Sequence, residues 1–304
     1  MKGHPMSGSR STRLRSLLLW ILSGALAIAT FFHQNRTGPT YPLRGTVATA
    51  HGPAAFVFLR SEEIGTGLQI MVKEPVPAGL AGSVQWRRYK SADPWTRTPM
   101  TARTFRFTRR GEVEEIRGIG VVLPSLPERA GKYEYFVTLD DGNGPRSVTG
   151  EKAIYARYKA PVPRWVLVPH ILAIFLSMTL ALRTGLQALT GGPTRGLLWS
   201  TIGSLLLGAF ILGPIVQRYA FGVLWSGIPF GYDWTDNKVL VELAAWAVAA
   251  LFAAEVRRGR TAILAATLVT LAIYLIPHSV FGSEYDYTKG SGHGTAGAVE
   301  AAPR

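Results

Sequence analysis

The sequence predicts a membrane α-helical bundle of about five spanning helices, with an all-β domain inserted on the outer side. Three observations predict it. Five apolar blocks approach the roughly 20 residues needed to cross a hydrocarbon core of about 30 Å. The short stretches beside those blocks are rich in arginine and lysine on alternate sides only. Residues 40–160 carry short runs of aromatic and β-branched residues, separated by glycine, proline and aspartate.

Composition agrees with apolar blocks set against charged ones: 47% of residues are hydrophobic, mean hydropathy is +0.16, and 33 Lys and Arg face 19 Asp and Glu. A net charge of +14 invites a nucleic-acid partner. Membrane topology accounts for part of it, so no nucleic acid is expected. The chain has no cysteine, which excludes disulfides, thiolate-ligated zinc, iron–sulfur clusters and thiol catalysis. Any metal needs His, carboxylate or Met ligands.

In chain order, residues 1–16 form a basic N-terminus with Lys2, Arg10, Arg13 and Arg15. The first apolar block, Leu17–Phe32, gives a spanning helix over 17–33. Ala25, Ala27 and Ala29 resemble a signal-cleavage pattern, but Thr30, Phe31 and Phe32 prolong the apolar run, so a signal anchor is expected. Residues 34–163 form the β domain, with strands at Ala55–Arg60, Leu68–Val72, Ser83–Tyr89, Thr104–Thr108, Ile116–Leu123, Lys132–Leu139 and Ala153–Tyr158. About seven short strands in that length predict a two-sheet sandwich. The blocks Trp165–Leu182, Leu197–Val216, Val239–Val256 and Thr261–Phe281 then make a four-helix bundle over 164–287. Residues 288–304 form a small, polar tail expected to be disordered.

Orientation follows from the short loops. Arg183 and Arg195 lie between the second and third blocks, and Arg257, Arg258 and Arg260 between the fourth and fifth. With the basic N-terminus they fall on one side, which the positive-inside rule makes cytoplasmic. The expected placement is multi-pass in the inner (plasma) membrane, with the N-terminus cytoplasmic. The β domain, the 217–238 loop and the C-terminus are then extracytoplasmic.

The segment Ala130-Gly131-Lys132-Tyr133-Glu134-Tyr135-Phe136-Val137 resembles the penultimate strand of immunoglobulin-like and fibronectin-type domains, where a Tyr fixes the strand crossover. The resemblance covers the outer domain alone and implies a binding or spacing module. Residues 34–164 hold 20 Lys and Arg against 12 Asp and Glu, a basic surface suited to anionic headgroups or an acidic partner. The even spread of these charges favours the plainer reading, a solvated basic face.

The chemically suggestive residues gather near the outer helix ends. His170, Glu242 and His278 each lie within a turn or two of that boundary, where ionisable groups usually face a bundle interior or an aqueous cavity. Around them, Gln217, Arg218, Asp233, Asp236, Lys238, Glu284 and Asp286 are expected to contribute to a polar pocket roofed by the loops. Plainer readings compete. Trp225, Trp234, Tyr219 and Tyr285 suit an aromatic belt, and Asp236 suits an N-cap. Lys238 and Glu242 suit an i, i+4 pair. His170 and His278, each following a proline, suit partners for carbonyls freed by it. Phosphate-loop, zinc-helix and nucleophile-elbow motifs are all missing, and nothing points to catalysis.

Three functions remain. The first is an integral membrane binding or assembly protein, embedded in the lipid bilayer and meeting an envelope protein through its β domain. Gly203, Ser204, Gly208, Ala209 and Gly213 would permit close helix packing in it. The second is a haem or divalent-metal site with His170 and His278 as ligands and Glu242 as a further metal ligand. The third is a proton-coupled transport subunit using Glu242.

Overall fold

The computed structural model describes residues 7–109, 112–278 and 280–293. The terminal residues 294–304, most of the expected tail, lie outside them. The chain opens with helix α1 (Ser7–Thr37), longer at both ends than its apolar block. Hydropathy marks the stretch suited to hydrocarbon, while the helix runs on through polar residues at each boundary.

Eleven strands follow: β1 (Leu43–Thr49), β2 (Gly52–Phe58), β3 (Ser61–Glu63), β4 (Leu68–Lys73), β5 (Ala81–Arg88), β6 (Thr96–Pro99), β7 (Thr101–Arg109), β8 (Glu112–Leu123), β9 (Lys132–Asp140), β10 (Pro145–Ser147) and β11 (Ile154–Lys159). They form one sheet ordered β1-β2-β4-β8-β7 and another ordered β3-β11-β9-β5-β6, with β10 beside β9. All pairings are antiparallel except β3 with β11. Each of the seven strand runs in the sequence overlaps a strand, and those at Ala55–Arg60, Ser83–Tyr89 and Ala153–Tyr158 overrun one end of it by one or two residues. β1 escaped notice because it is a largely exposed edge with little apolar alternation.

The two sheets share one core. Phe58, Leu68, Ile70, Val72, Phe105 and Leu123 from the first meet Val84, Tyr135, Val137, Ala156 and Tyr158 from the second, nearly all fully buried. Each such side chain contributes roughly 1.5–3 kcal/mol of burial. Two tyrosines of the second sheet reach across: Tyr135 Oη donates to Leu59 O (2.7 Å) and Tyr158 Oη to Pro124 O (3.2 Å). The Tyr135 bond joins positions far apart in sequence, so it ties a strand to the link after β2 rather than closing a local turn.

The helical part holds α2 (Arg164–Leu189), α3 (Arg195–Leu205), a π-helical turn (Leu206–Leu212), α4 (Gly213–Phe221), α5 (Trp234–Leu251) and α6 (Val256–Leu275). Among the described residues four stretches are long and apolar enough to cross a membrane: Thr12–Thr37, Arg164–Leu189, Arg195–Phe221 and Val256–Leu275. The last two helices start and stop earlier than the sequence suggested. α5 begins at its capping residue Asp233, and α6 stops just before Ile276-Pro277 because a residue preceding proline is disfavoured in helix. Arg183, expected in a loop, lies inside α2 and is 4% exposed. Its guanidinium donates to Gln187 Oε1 (2.6 Å) and Ser16 Oγ (3.3 Å), tying α2 to α1. Nearby, Arg15 donates to Thr190 O and Arg260 to Gly191 O, so the basic clusters converge on one turn.

The β domain stands on the opposite helix ends. A hairpin of β12 (Glu284–Asp286) and β13 (Ser291–His293) follows α6 and returns to it, with Tyr285 N donating to Ala130 O and Tyr287 N to Lys90 O. Ala160 N donates to Ala220 O, and the Arg157 guanidinium sits 4.9 Å from the Phe221 ring centroid.

Replacing Tyr135 with Phe leaves the buried Leu59 carbonyl without its donor, at a cost of about 1–3 kcal/mol. The expected outcome is a lower Tm for the purified full chain, read in detergent by the near-ultraviolet signal of the β domain. An unchanged Tm would show that water replaces the hydroxyl.

Candidate functional site

Between the helix ends and the β domain lies a cavity of about 170 Å³. Every helical segment except α3 contributes to it. α1 supplies Gln34, α2 His170, α4 Gln217, α5 Asp236 and Lys238, and α6 Tyr274 with His278 beyond its end. β11 closes it with Arg157.

The backbone explains how these groups meet. Pro214 lacks an N–H and its ring crowds the carbonyl four residues back. The helix therefore widens ahead of it, and Gly213 N reaches five residues back to Gly208 O. Gly208 also lies where α2 crosses: a Cβ there would stand 2.9 Å from Ile174 Cδ1 and 3.0 Å from its backbone nitrogen. That close crossing brings His170 Nδ1 to 3.0 Å from Gly208 O. A carbonyl only accepts, so in the neutral ring Nδ1 carries the hydrogen and Nε2 is left as an acceptor. His170 thus serves a carbonyl on another helix, not one freed by Pro169 in its own.

Asp233 rather than Asp236 caps α5. Its backbone is extended, and Oδ1 accepts from Thr235 N at 2.8 Å. Its Oδ2 holds Ser283 N (2.8 Å) and Ser283 Oγ (2.9 Å) beyond α6. Asp236, one turn inside, instead binds the 222–233 loop. Its Oδ2 accepts from Ser226 N (2.6 Å), Gly227 N (3.0 Å), Ser226 Oγ (3.0 Å) and Gln217 Nε2 (3.1 Å). Asn237 Oδ1 takes Ile228 N at 2.8 Å. The loop is held by side chains because it has few backbone partners of its own.

Lys238 and Glu242 do not pair. Lys238 Nζ donates to Ile276 O and Pro277 O, both 3.3 Å, and Gln34 Nε2 also donates to Ile276 O at 3.3 Å. The carbonyl end of α6 is thereby capped by a cation, as its dipole favours. Glu242, 0% exposed, lies deeper and outside the cavity lining. Its Oε1 accepts from Thr270 Oγ1 (3.1 Å), which in turn accepts from Trp246 Nε1 (3.0 Å). Its Oε2 and the Tyr274 hydroxyl are both buried without a hydrogen-bond partner.

The expected pocket residues therefore divide. His170, His278, Gln217, Asp233, Asp236 and Lys238 line the cavity; Arg218, Glu242, Glu284 and Asp286 do not. Arg218 turns to Gly222 O, and Asp286 accepts from Thr288 in the hairpin. Glu284 lines a second cleft of about 740 Å³ against the β domain, bonded to Lys90 and, at 3.0 Å, to Lys132. Three cavity residues went unnoticed in the sequence. Gln34 is a polar group directly after an apolar block, and Arg157 alternates with the buried Ala156 and Tyr158. Tyr274 passes for an interfacial aromatic.

Chemically the cavity is a small hydrogen-bonding chamber. His278 lines the cavity from an exposed position, and the charges of Lys238 and Arg157 disfavour a positive charge on its ring. Burial lowers the Arg157 guanidinium as well, and the Asp233 charge opposes it. His170 and His278 are two nitrogen ligands with both neighbouring aspartates engaged by backbone donors. Among the described residues no group of three or more His, Asp or Glu is arranged to hold a metal ion. Its volume lies below the roughly 300 Å³ from which pockets for drug-sized ligands run upward.

Comparison with known proteins finds no matching family model, no matching curated protein and no matching solved structure.

Burial alone would raise the Glu284 carboxyl, but the Lys90 hydrogen bond and the Lys132 charge outweigh it, so it titrates below the ordinary range. A depressed folded pKa lends stability above the unfolded value of about 4.3, lost as pH falls through the folded one. With Lys90 39% exposed, the expected contribution is about 1 kcal/mol. Glu284→Gln should therefore lower Tm at pH 7 and converge on wild type in acid. Parallel pH profiles for the two proteins would contradict this.

Proposed function

We propose that this chain is an integral membrane binding protein, whose outer domain meets an envelope partner and whose junction cavity takes a small hydrogen-bonding group. In this reading all five helical rods cross the inner membrane. The N-terminus and the converging arginines face the cytoplasm, and the β domain is an immunoglobulin-like sandwich outside it. α5 belongs with the other four because its charged residues Asp236, Lys238 and Glu242 are no more than 8% exposed, so lipid meets little of their charge. The convergence of Arg15, Arg183 and Arg260 on one end supports the orientation.

One observation carries the reading: the β domain is fastened to the bundle around a polar cavity instead of hanging from a tether. An anchor alone needs neither the returning hairpin nor the loop network on Asp236. A chamber walled jointly by helices and by β11 links events on the outer domain to the helices. Cavities of about 150 Å³ can hold one small molecule, which sets the scale of the ligand.

A second reading, proton-coupled transport, is favoured by Glu242. A buried carboxyl with one unpartnered oxygen, near a buried tyrosine hydroxyl that lines the cavity, is a costly arrangement. Intramembrane acids of this kind commonly mark proton paths.

A cysteine-free chain allows a clean test. In intact cells, Asn143→Cys should react with an impermeant maleimide, and Pro193→Cys only after permeabilisation; the reverse pattern would invert the topology. Photo-crosslinkers at the exposed Val113 and Val122 should give a discrete adduct, weakened several-fold by Val216→Phe, which fills the cavity. No adduct at either site would overturn the binding reading, and an undiminished one would detach the cavity from it. For the second reading, proteoliposomes should dissipate an imposed pH gradient faster with wild type than with Glu242→Gln; equal rates would dismiss it.

A further inference from the structure

The second cleft lies between the outer face of the β3-β11-β9 sheet edge and the helix ends. Its β side presents Arg60, Lys90, Lys132 and Arg157. Glu284 is the one carboxylate lining it, and it already accepts from both lysines. The lining thus carries a surplus of three positive charges in a half-enclosed space. The side chain of Arg60, a half-buried residue, has no hydrogen-bond or ion-pair partner among the described residues. Burial lowers the pKa of Arg60, Lys132 and Arg157 alike; at Lys132 the Glu284 carboxylate opposes it, and the charges of Arg157 and Lys90 add to it. Partly desolvated cations crowded in this way are stabilised by an anion placed among them.

The opposite wall has different chemistry. It comes from the residues next to three helix ends: Pro39 and Thr40 after α1, Tyr232 and Trp234 at the start of α5, and Val280 and Phe281 after α6. Tyr232 is 77% exposed, Phe281 64% and Trp234 48%. Large apolar side chains left open at helix ends mark the headgroup level of a bilayer. One cleft therefore offers a cationic floor on the protein side and an aromatic edge on the membrane side.

We propose that this cleft binds an anionic phospholipid, with its phosphate among Arg60, Lys132 and Arg157 and its acyl chains leaving past Tyr232, Trp234 and Phe281. The site is separate from the junction cavity except for Arg157, which lines both. It rests on the membrane placement of the preceding reading, and not on the envelope partner or the cavity ligand. The three cationic side chains hold the headgroup, and the aromatic edge distinguishes an amphiphile from free phosphate.

The test uses the full chain in nanodiscs of phosphatidylcholine, with or without phosphatidylglycerol, and counts lipids retained in native mass spectrometry. Wild type should retain one phosphatidylglycerol per chain and show a higher Tm in the mixed discs, less so at high salt. Arg60→Gln should lower that retention about tenfold, Arg60→Lys should keep much of it, and Arg103→Gln on the exposed part of β7 should leave it unchanged. Phe281→Ser should weaken phosphatidylglycerol retention as well. Equal retention of both lipids by wild type, or no loss in a folded Arg60→Gln, would overturn the proposal. An equal Tm shift from inorganic phosphate in neutral detergent would also overturn it, by making the cleft a site for a soluble anion. These readouts do not involve the crosslinked adduct, so either reading can fail alone.

Discussion

Helix ends covered by a folded domain cannot leave their last backbone groups to water. Each helix has N–H groups at one end and carbonyls at the other with no internal partner, and burying such groups unpaired is costly. In this chain the polar residues at the junction answer that demand. Asp233 takes the first turn of α5, and Lys238 and Gln34 take the carbonyl end of α6. Asp236 gathers the donors of the loop that joins α4 to α5. Ordering those caps fixes the loops, the loops form the floor under the β domain, and the remaining space becomes the cavity.

The same demand separates groups that hold the structure from groups free to do something else. Asp233 is bonded at both oxygens and Asp236 takes four donors on Oδ2, so their charges steady the loop. His170 has one nitrogen committed to Gly208. Glu242 stands apart, with a single hydroxyl partner and one oxygen unmet. Residues of similar appearance in the sequence thus do opposite work, and the difference lies in which backbone groups each one finds.

The large divisions were legible in the sequence because they rest on periodicity and bulk hydropathy. Apolar blocks marked the four helices that, among the described residues, are long and apolar enough to cross a membrane, and alternation marked the seven main strands. Depth along helices of known rise put His170, Glu242 and His278 at one level; the first and last line the cavity, and Glu242 lies outside it. What escaped was set by contact. Arg183 looked like a loop cation because charge is rare inside an apolar helix, yet Gln187 and Ser16 give it partners there. Asp236 looked like a cap because Asp233, three residues earlier, offers the same chemistry. Glu284 and Asp286 joined the wrong compartment because a local sequence does not reveal that the chain turns back onto Lys90 and Lys132.

The π-helical turn before Pro214 has a geometric consequence of its own. A wide turn holds about one residue more than an α-turn and so retards everything after it by roughly 100° about the axis. Leu212 therefore marks a change of phase within one continuous rod. Were a single residue lost between Leu206 and Leu212, the rod could close into regular helix with its length almost unchanged. Gln217 and Ala220 would keep their facing toward α5, because the lost residue and the lost retardation cancel, whereas a deletion elsewhere in the rod would turn them by about 100°.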